Sequence, residues 1–466
     1  MTSSAPAFPQ PGLALALAEF THGLRYADLP DALKQKSAHH IIDAIGLGFA
    51  ARQFNFAGPS IEGIERAGAA GQSTVIGSTR KLSSRDAAMA NGLLMHGLDF
   101  DDTHPSAIVH PTVACLPAAL AVAEELDASW EDLLVAYVAA METAVRLGAA
   151  VKGGFHHVGF HATGVISHFS SAIAAGKLLG LSVPELVAAQ GIAGSTASGI
   201  QVFLEEGAWT KRMHPGWGSL SGITAAHMAQ AGFVGPSRPY EGRFALFETH
   251  LHDQAANVDE TLVTEGLGSH WSMLETSIKP YPVCHFIHGC AEAAIQLHRT
   301  VADIDKITEI TCYLPEPTLP IVAEPAEKKV VPQTDYDAKF SAQFVVAACL
   351  LRGKFGLEEL NDASLKDAAI LNLSQKARCE IEQDSSFPTY FSGGVRIRME
   401  DGSEHEHHIE VNLGSGERAL QGSDIADKFR GTAGLTLDND RMDAVLEALL
   451  NNSPKNARAL ARLLEG

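Results

Sequence analysis

The sequence predicts a mainly α protein, with a large all-α domain drawn from both ends of the chain and a smaller α+β domain between them. Three observations predict it. From Leu13 to Phe233 apolar residues recur at helical spacing almost without a break. After about Trp271 the pattern changes to the period of two that marks strands. Over Ser423–Leu464 it returns to helix, so the end of the chain is expected to rejoin the first domain. At 466 residues the chain is too long for one ordinary core. The division expected is residues 1–272 with 413–466 for the helical domain, and 273–412 for the α+β domain.

The helical spacing predicts helices over Leu29–Ala51, Arg85–Leu98, Thr112–Leu126, Asp132–Gly148 and Val165–Leu179. Start signals support them: Ser83-x-x-Asp86, Ser129-x-x-Asp132 and Ser182-x-x-Glu185 have the composition of capping boxes. The helices are rich in Ala and Gly, which lets backbones approach closely. In the second region Lys306–Leu314 alternates like a half-buried strand. Val395, Ile397 and Met399 do the same, Asp401-Gly402 supplies a hairpin turn, and Ile409 and Val411 lie on the return strand. Phe340–Leu351 reads as a helix between them.

Composition excludes several classes. The net charge is -20, from 35 basic and 55 acidic side chains, so neither nucleic acid nor an anionic membrane is expected as a partner. Six scattered cysteines without a CxxC read as reduced thiols in a cytoplasmic protein. Met1 to Gly12 carries no positive region ahead of its apolar stretch, and no apolar run is counted that reaches the roughly 20 residues of a membrane span.

Four segments carry chemistry. The first, Leu98-Asp99-Phe100-Asp101-Asp102-Thr103-His104 followed by His110-Pro111, sits between two predicted helices. It reads as an acid/base array, as helix capping, or as divalent-metal ligands in Asp99, Asp101 and Asp102. The second, Gly154 to Gly164, holds His156, His157 and His161 between glycines. No Cys or carboxylate stands at zinc-ligand spacing, and His161, just before a helix start, is the candidate for chemistry. The third, Thr210-Lys211-Arg212-Met213-His214-Pro215-Gly216, gathers two cations ahead of a small-residue helix expected over Trp217–Phe233, where an anion is favoured. A solvated surface patch is the alternative. The fourth, Lys279-Pro280-Tyr281-Pro282-Val283-Cys284-His285 with His288, lies where the texture changes and reads as the wall of a cleft between domains, with a buried lysine or tyrosine. No GxGxxG follows a strand, and no GxxxxGK[ST] or iron–sulfur cysteine set is present. The sequence therefore points to no cofactor and no metal.

Taken in order over nearly the whole chain, these segments resemble the MmgE/PrpD family, which includes 2-methylcitrate dehydratases, iminodisuccinate epimerases and cis-aconitate decarboxylases. The resemblance rests on LDFDDTH with HP after it, GFHATG before AAGKLLGLS, TKRMHPG, KPYPVCHFIHG and DAKFSAQF (Asp337–Phe344). It implies a helical domain built from both chain ends, an α+β lid, a homodimer, and no cofactor. The family's active-site positions match Asp99, Thr103, His110, His161, Lys211, Lys279 and His285. Relative to the decarboxylases, the Asp99–His110 and Lys279–His285 spacings are one residue longer. The lid tyrosine of decarboxylases has no counterpart near Ile321–Glu324.

These residue types suit removal of a proton beside a carboxylate, which piles charge onto an anionic group. Lys211 and Lys279 would stabilise the aci-carboxylate. Of His110 and His161, one would take the proton and the other supply one. Asp99 would orient an imidazole, and Thr103, Lys279, Tyr281, His285 and Arg212 would bind a small di- or tricarboxylate. The leading expectation is a hydro-lyase of the 2-methylcitrate dehydratase type. An iminodisuccinate-type epimerase and a cis-aconitate-type decarboxylase use the same residues. A non-catalytic helical binding protein and a metallo-hydrolase are the readings from other classes.

Overall fold

The structure, a computed structural model, describes residues 12–466; the N-terminal stretch read above for its missing positive region lies outside them up to Pro11. Helices dominate. The five expected ones are Asp31–Ala51, Ser84–His96, Pro111–Leu126, Trp130–Ala150 and Ala162–Leu178. Ser83 and Ser129 accept from the backbone N–H groups of Asp86 and Asp132, and Ser182 forms a reciprocal box with Glu185.

Two large apolar cores, and a small cluster of Phe203, Tyr336 and Phe340, are present among the described residues. The larger joins side chains from Leu13 to Ile278 with Ile425 to Leu464 near the C-terminus. The smaller spans Val283 to Ile409. In the larger core the helix Thr210–Gln230 lies against Ala162–Leu178 and Ser84–His96. Glycines make that approach possible: a Cβ on Gly218 would fall 1.8 Å from Ser167 Oγ, and one on Gly92 would fall 2.6 Å from the Gly216 Cα. Larger residues there would force the helices apart. Trp130–Ala150 is long and apolar enough to cross a bilayer, contrary to the count made from sequence, yet it is packed inside the protein as a core helix.

The smaller core packs on a four-stranded sheet, in order Ala377–Ile381, Ile307–Leu314, Gly393–Met399, Glu404–Ile409. The last three are antiparallel neighbours, and Ile307–Leu314 pairs in parallel with Ala377–Ile381. The Asp401-Gly402 turn forms as expected, with Gly402 at φ +85°. Three strands gave no sequence signal: Ala377–Ile381 and the short pair Ala70–Thr74 with Lys81–Leu82.

The third segment needs a correction. The helix starts at Thr210 rather than near Trp217, so Lys211, Arg212 and His214 lie inside its first two turns, with Pro215 within it. The sequence reading began the helix at Trp217; here it begins seven residues earlier and carries the Pro215 ring in its second turn.

Candidate active site

The site is built on the loop that joins Ser84–His96 to Pro111–Leu126. Its first four carbonyl oxygens point at the end of a helix whose dipole is negative, and each meets a different cation. Arg212 Nε donates to Gly97 (2.9 Å), Lys339 Nζ to Leu98, Lys279 Nζ to Asp99 (3.0 Å) and Lys428 Nζ to Phe100 (2.8 Å). Four distant chain segments thereby fix one short loop. Asp99 is held there at φ +51°, a left-handed conformation that costs energy and persists because its surroundings over-determine it.

The three aspartates of the loop diverge. Asp99 Oδ1 lies 3.1 Å from both Lys211 Nζ and Lys279 Nζ. Asp101 Oδ2 meets His96 Nδ1 at 2.8 Å. Asp102 accepts from the Thr112 hydroxyl and backbone N–H and lies 2.6 Å from His40. They are not one ligand set; each answers a separate partner. Burial would raise the Asp99 carboxyl, but Lys211, then Lys279, hold it well below the usual carboxylate range. Asp101, also buried, is held at about 2, chiefly by His96.

Asp99, Thr103, His110, His161, Lys211, Lys279 and His285 line one cavity of about 60 Å³, so seven of the nine residues expected from sequence come together. Both imidazoles expected to carry protons sit at helix N-caps, His110 ahead of Pro111–Leu126 and His161 ahead of Ala162–Leu178. Two positive helix ends therefore face the cavity along with the two lysines, which favours an anion. These replace the N-terminus expected near Trp217.

Arg212 and Tyr281 do not join it. Successive helical residues point about 100° apart, so Arg212 faces away from Lys211. Its guanidinium reaches Gly97 and Asp335 and stacks on Phe56 (4.3 Å) and Tyr336 (4.8 Å). At Tyr281 a tight turn, in which Val283 N–H donates to the Tyr281 carbonyl (2.9 Å), puts the ring edge-on to His288. Both residues support the wall instead of forming it.

Hydrogen bonds decide which nitrogen of two histidines holds the proton. His110 Nδ1 lies 2.8 Å from the Asp102 carbonyl, which only accepts, so Nδ1 is protonated and Nε2 offers its lone pair, 3.8 Å from Asp99 Oδ1. Asn412 Oδ1 accepts from the Phe391 N–H (3.0 Å), so its amide NH2 faces His285 Nε2 (3.0 Å) and donates. The neutral His285 must then carry its proton on Nδ1, a buried atom that no protein group meets. Burial lowers His110 to about 3 and lowers His161 and His285 well below the ordinary histidine value, so all three are neutral at pH 7.

Sequence reasoning missed several residues of this site. His96, which anchors Asp101 and stacks on His161 at 5.6 Å, stands two residues ahead of LDFDDTH without a motif of its own. Phe203, Ile321 and Phe340 close the cavity as an apolar wall. Phe340 belongs to the DAKFSAQF stretch, but Phe203 and Asn412 carried no signal. A wider cavity of about 730 Å³ shares Ile108 with the site. Its one buried arginine, Arg146, is already spent on Glu142 and three carbonyls.

The N-terminal domain of the MmgE/PrpD family matches residues 15–259, and its C-terminal domain matches residues 281–452. The chain belongs to the MmgE/PrpD family. Among curated relatives, a cis-aconitate decarboxylase-like protein of Aspergillus oryzae is 26% identical over 461 residues, covering 95% of each chain. The cis-aconitate decarboxylases of Aspergillus terreus and Homo sapiens are 25% and 27% identical, over 96% of this chain and 94% and 93% of theirs. This MmgE/PrpD protein is therefore similar to lyases from end to end, and its paired lysines and neutral imidazoles line the same cavity.

Proposed function

We propose that this enzyme is a cofactor-independent lyase that removes the proton beside a carboxylate of a small polycarboxylic acid and expels water, as 2-methylcitrate dehydratases do. The observation that carries the reading is the fixed, opposite polarity of two imidazoles beside two lysines. His110 presents a lone pair, and His285 presents an N–H. The substrate carboxylate sits at Lys211 and Lys279, and the adjoining carbon faces His110 Nε2, which takes its proton. The charge that moves onto the carboxylate as the C–H bond breaks is met by the two ammonium groups and the two helix N-termini. His285 Nδ1–H binds a substrate oxygen. His161, whose Nε2 is buried and unpartnered, protonates the departing hydroxyl, so that water leaves and a carbon–carbon double bond remains. Asp99 cancels one of the two lysine charges, which keeps both ammoniums together in a buried place.

The cavity of about 60 Å³ is narrow for a tricarboxylate, so the reading includes an opening of its apolar wall. Phe203 and Phe340 are the side chains that must move. Closed again, they exclude water and strengthen each charge–charge contact inside.

Decarboxylation is the second reading, favoured by the names of the curated relatives. The same lysines would stabilise the carbanion left by carbon dioxide, which a histidine then protonates. Ile321 at the cavity wall weighs against it, because it offers no hydroxyl. Purified protein given 2-methylcitrate, citrate, related hydroxy acids and cis-aconitate separates the readings. Conjugated-alkene absorbance without gas release is the expected result. Carbon dioxide from cis-aconitate instead overturns dehydration in favour of the second reading, and neither product across the panel overturns both.

A further inference from the structure

The mechanism above gives His161 a proton to deliver but no way of replacing it, since its Nε2 is enclosed. On the far side of the ring, His161 Nδ1 lies 3.0 Å from Nδ1 of His214, with ring centroids 5.2 Å apart. His161 lines the cavity. His214 lies behind it, keeps 7% of its surface open, and has no described hydrogen-bond partner at its Nε2. Room for the pair is made by glycine. A Cβ on Gly199 would stand 3.2 Å from His214 Nδ1, and one on Gly164 would stand 3.1 Å from the His214 Cβ. The His161 backbone is pinned there by its N–H to the Gly199 carbonyl (2.8 Å).

We propose that His161 and His214 form a two-imidazole proton relay joining the substrate cavity to solvent, with His214 as the positioning residue that sets the protonation state of His161. The inference rests on the proton chemistry proposed for the site. Two Nδ1 atoms at hydrogen-bond distance share one proton, so one ring is the Nδ1–H tautomer and the other the Nε2–H tautomer. In the acid-ready state His161 holds Nε2–H and its Nδ1 accepts from His214 Nδ1–H. When Nε2–H goes to the departing hydroxyl, the His214 Nδ1 proton moves to His161 Nδ1, and His214 Nε2 takes one proton from water. One proton enters at His214 and one leaves at His161, and both rings end neutral. For the reverse passage, the proton that His110 took from carbon is carried by the product water to His161 Nε2, the Nδ1 proton returns to His214, and His214 Nε2 releases one proton to solvent, so both histidines and the pair regain their starting state. Burial keeps both imidazoles neutral, His214 at about 3, which suits tautomer exchange over charge accumulation.

Two arms test it. His214→Gln fills similar space and still offers a hydrogen bond to His161 Nδ1, but an amide does not pass a proton through. With 2-methylcitrate, or cis-aconitate if only that acid turns over, kcat is expected to fall about 100-fold. KM stays near the wild-type value, and added imidazole restores part of the rate in His214→Ala. A wild-type kcat in His214→Gln overturns the relay while leaving the proposed reaction standing. The second arm needs no substrate: nitrogen NMR of the histidine-labelled protein. Nitrogen shifts of both rings midway between protonated and bare values are the expected result. Each ring locked at one extreme overturns the relay, whatever the reaction is.

Discussion

Replacing Lys211 by methionine removes one charge and little volume, and the consequence follows from the charge count in the cavity. Two ammoniums and the Asp99 carboxylate leave the site with one net positive charge, while the two lysine contacts to Asp99 are each 3.1 Å long. In Lys211→Met, Asp99 keeps Lys279, so the buried carboxylate stays paired and the fold is retained. The net charge facing the substrate falls to zero. A substrate carboxylate at about 4 Å from Lys211 loses about 4 kcal/mol at an effective dielectric of about 20. The loss is largest where the charge is largest, in the transition state, so kcat/KM is expected to drop about a thousandfold. Steady-state kinetics on the acid that turns over, with thermal unfolding measured alongside, checks this. A loss under tenfold in a variant that melts like the wild type would show that Lys211 does not face the developing charge.

Three further outcomes follow from the same geometry. His161→Ala loses most activity with its melting temperature little changed, because the ring lines a cavity already present; near-normal turnover refutes its role as the acid. Asn412→Asp puts an acceptor where the amide NH2 now donates to His285, so His285 moves its proton to Nε2 and loses its Nδ1–H. The loss of one such donor lowers kcat by about 100-fold, and an unchanged rate would mean that His285 does not donate to the substrate. Acid weakens the fold: burial holds His104, His110, His156, His168 and His214 at about 4, 3, 4, 4 and 3, against about 6.5 in an unfolded chain. Between those values the unfolded chain binds more protons, so stability falls as pH falls. Asp43, raised to about 7 by burial, opposes this, as do Glu142 and Glu241, which burial also raises, but the five imidazoles outnumber them. The melting temperature is expected to drop from pH 7 to pH 5, and a flat or rising value contradicts the neutrality of these imidazoles.

The helical architecture was readable because it rests on local signals: periodic apolar residues, serine caps, and a hairpin marked by Asp401-Gly402. The parallel strand Ala377–Ile381 was not, since a parallel pairing leaves its partner nearly seventy residues away, at Ile310–Leu314. Within the site, the charged residues grouped in short segments could be found, and the order of those segments carried the family resemblance. The polarity of the site could not. Which nitrogen of His110 is bare depends on the Asp102 carbonyl, and that of His285 on Asn412, which lies 127 residues away in sequence. Arg212 was misread for a different reason. Adjacent cations look alike in sequence, but on a helix Lys211 faces the cavity while Arg212 braces the Gly97 carbonyl. The cage of Arg212, Lys339, Lys279 and Lys428 around four successive carbonyls is likewise invisible until the chain folds, because it draws on every part of the molecule.

The central claim is that side chains alone move a proton beside a carboxylate. Proton NMR of the panel acids in deuterium oxide, with chelator-treated enzyme, tests it most directly. The account predicts that one hydrogen on the carbon next to a carboxylate is lost to solvent during turnover, that deuterium returns to that carbon in substrate re-formed from the alkene, and that both rates collapse in Lys211→Met and in His110→Gln. Turnover that keeps that hydrogen on carbon, or exchange that persists in both variants, would contradict it.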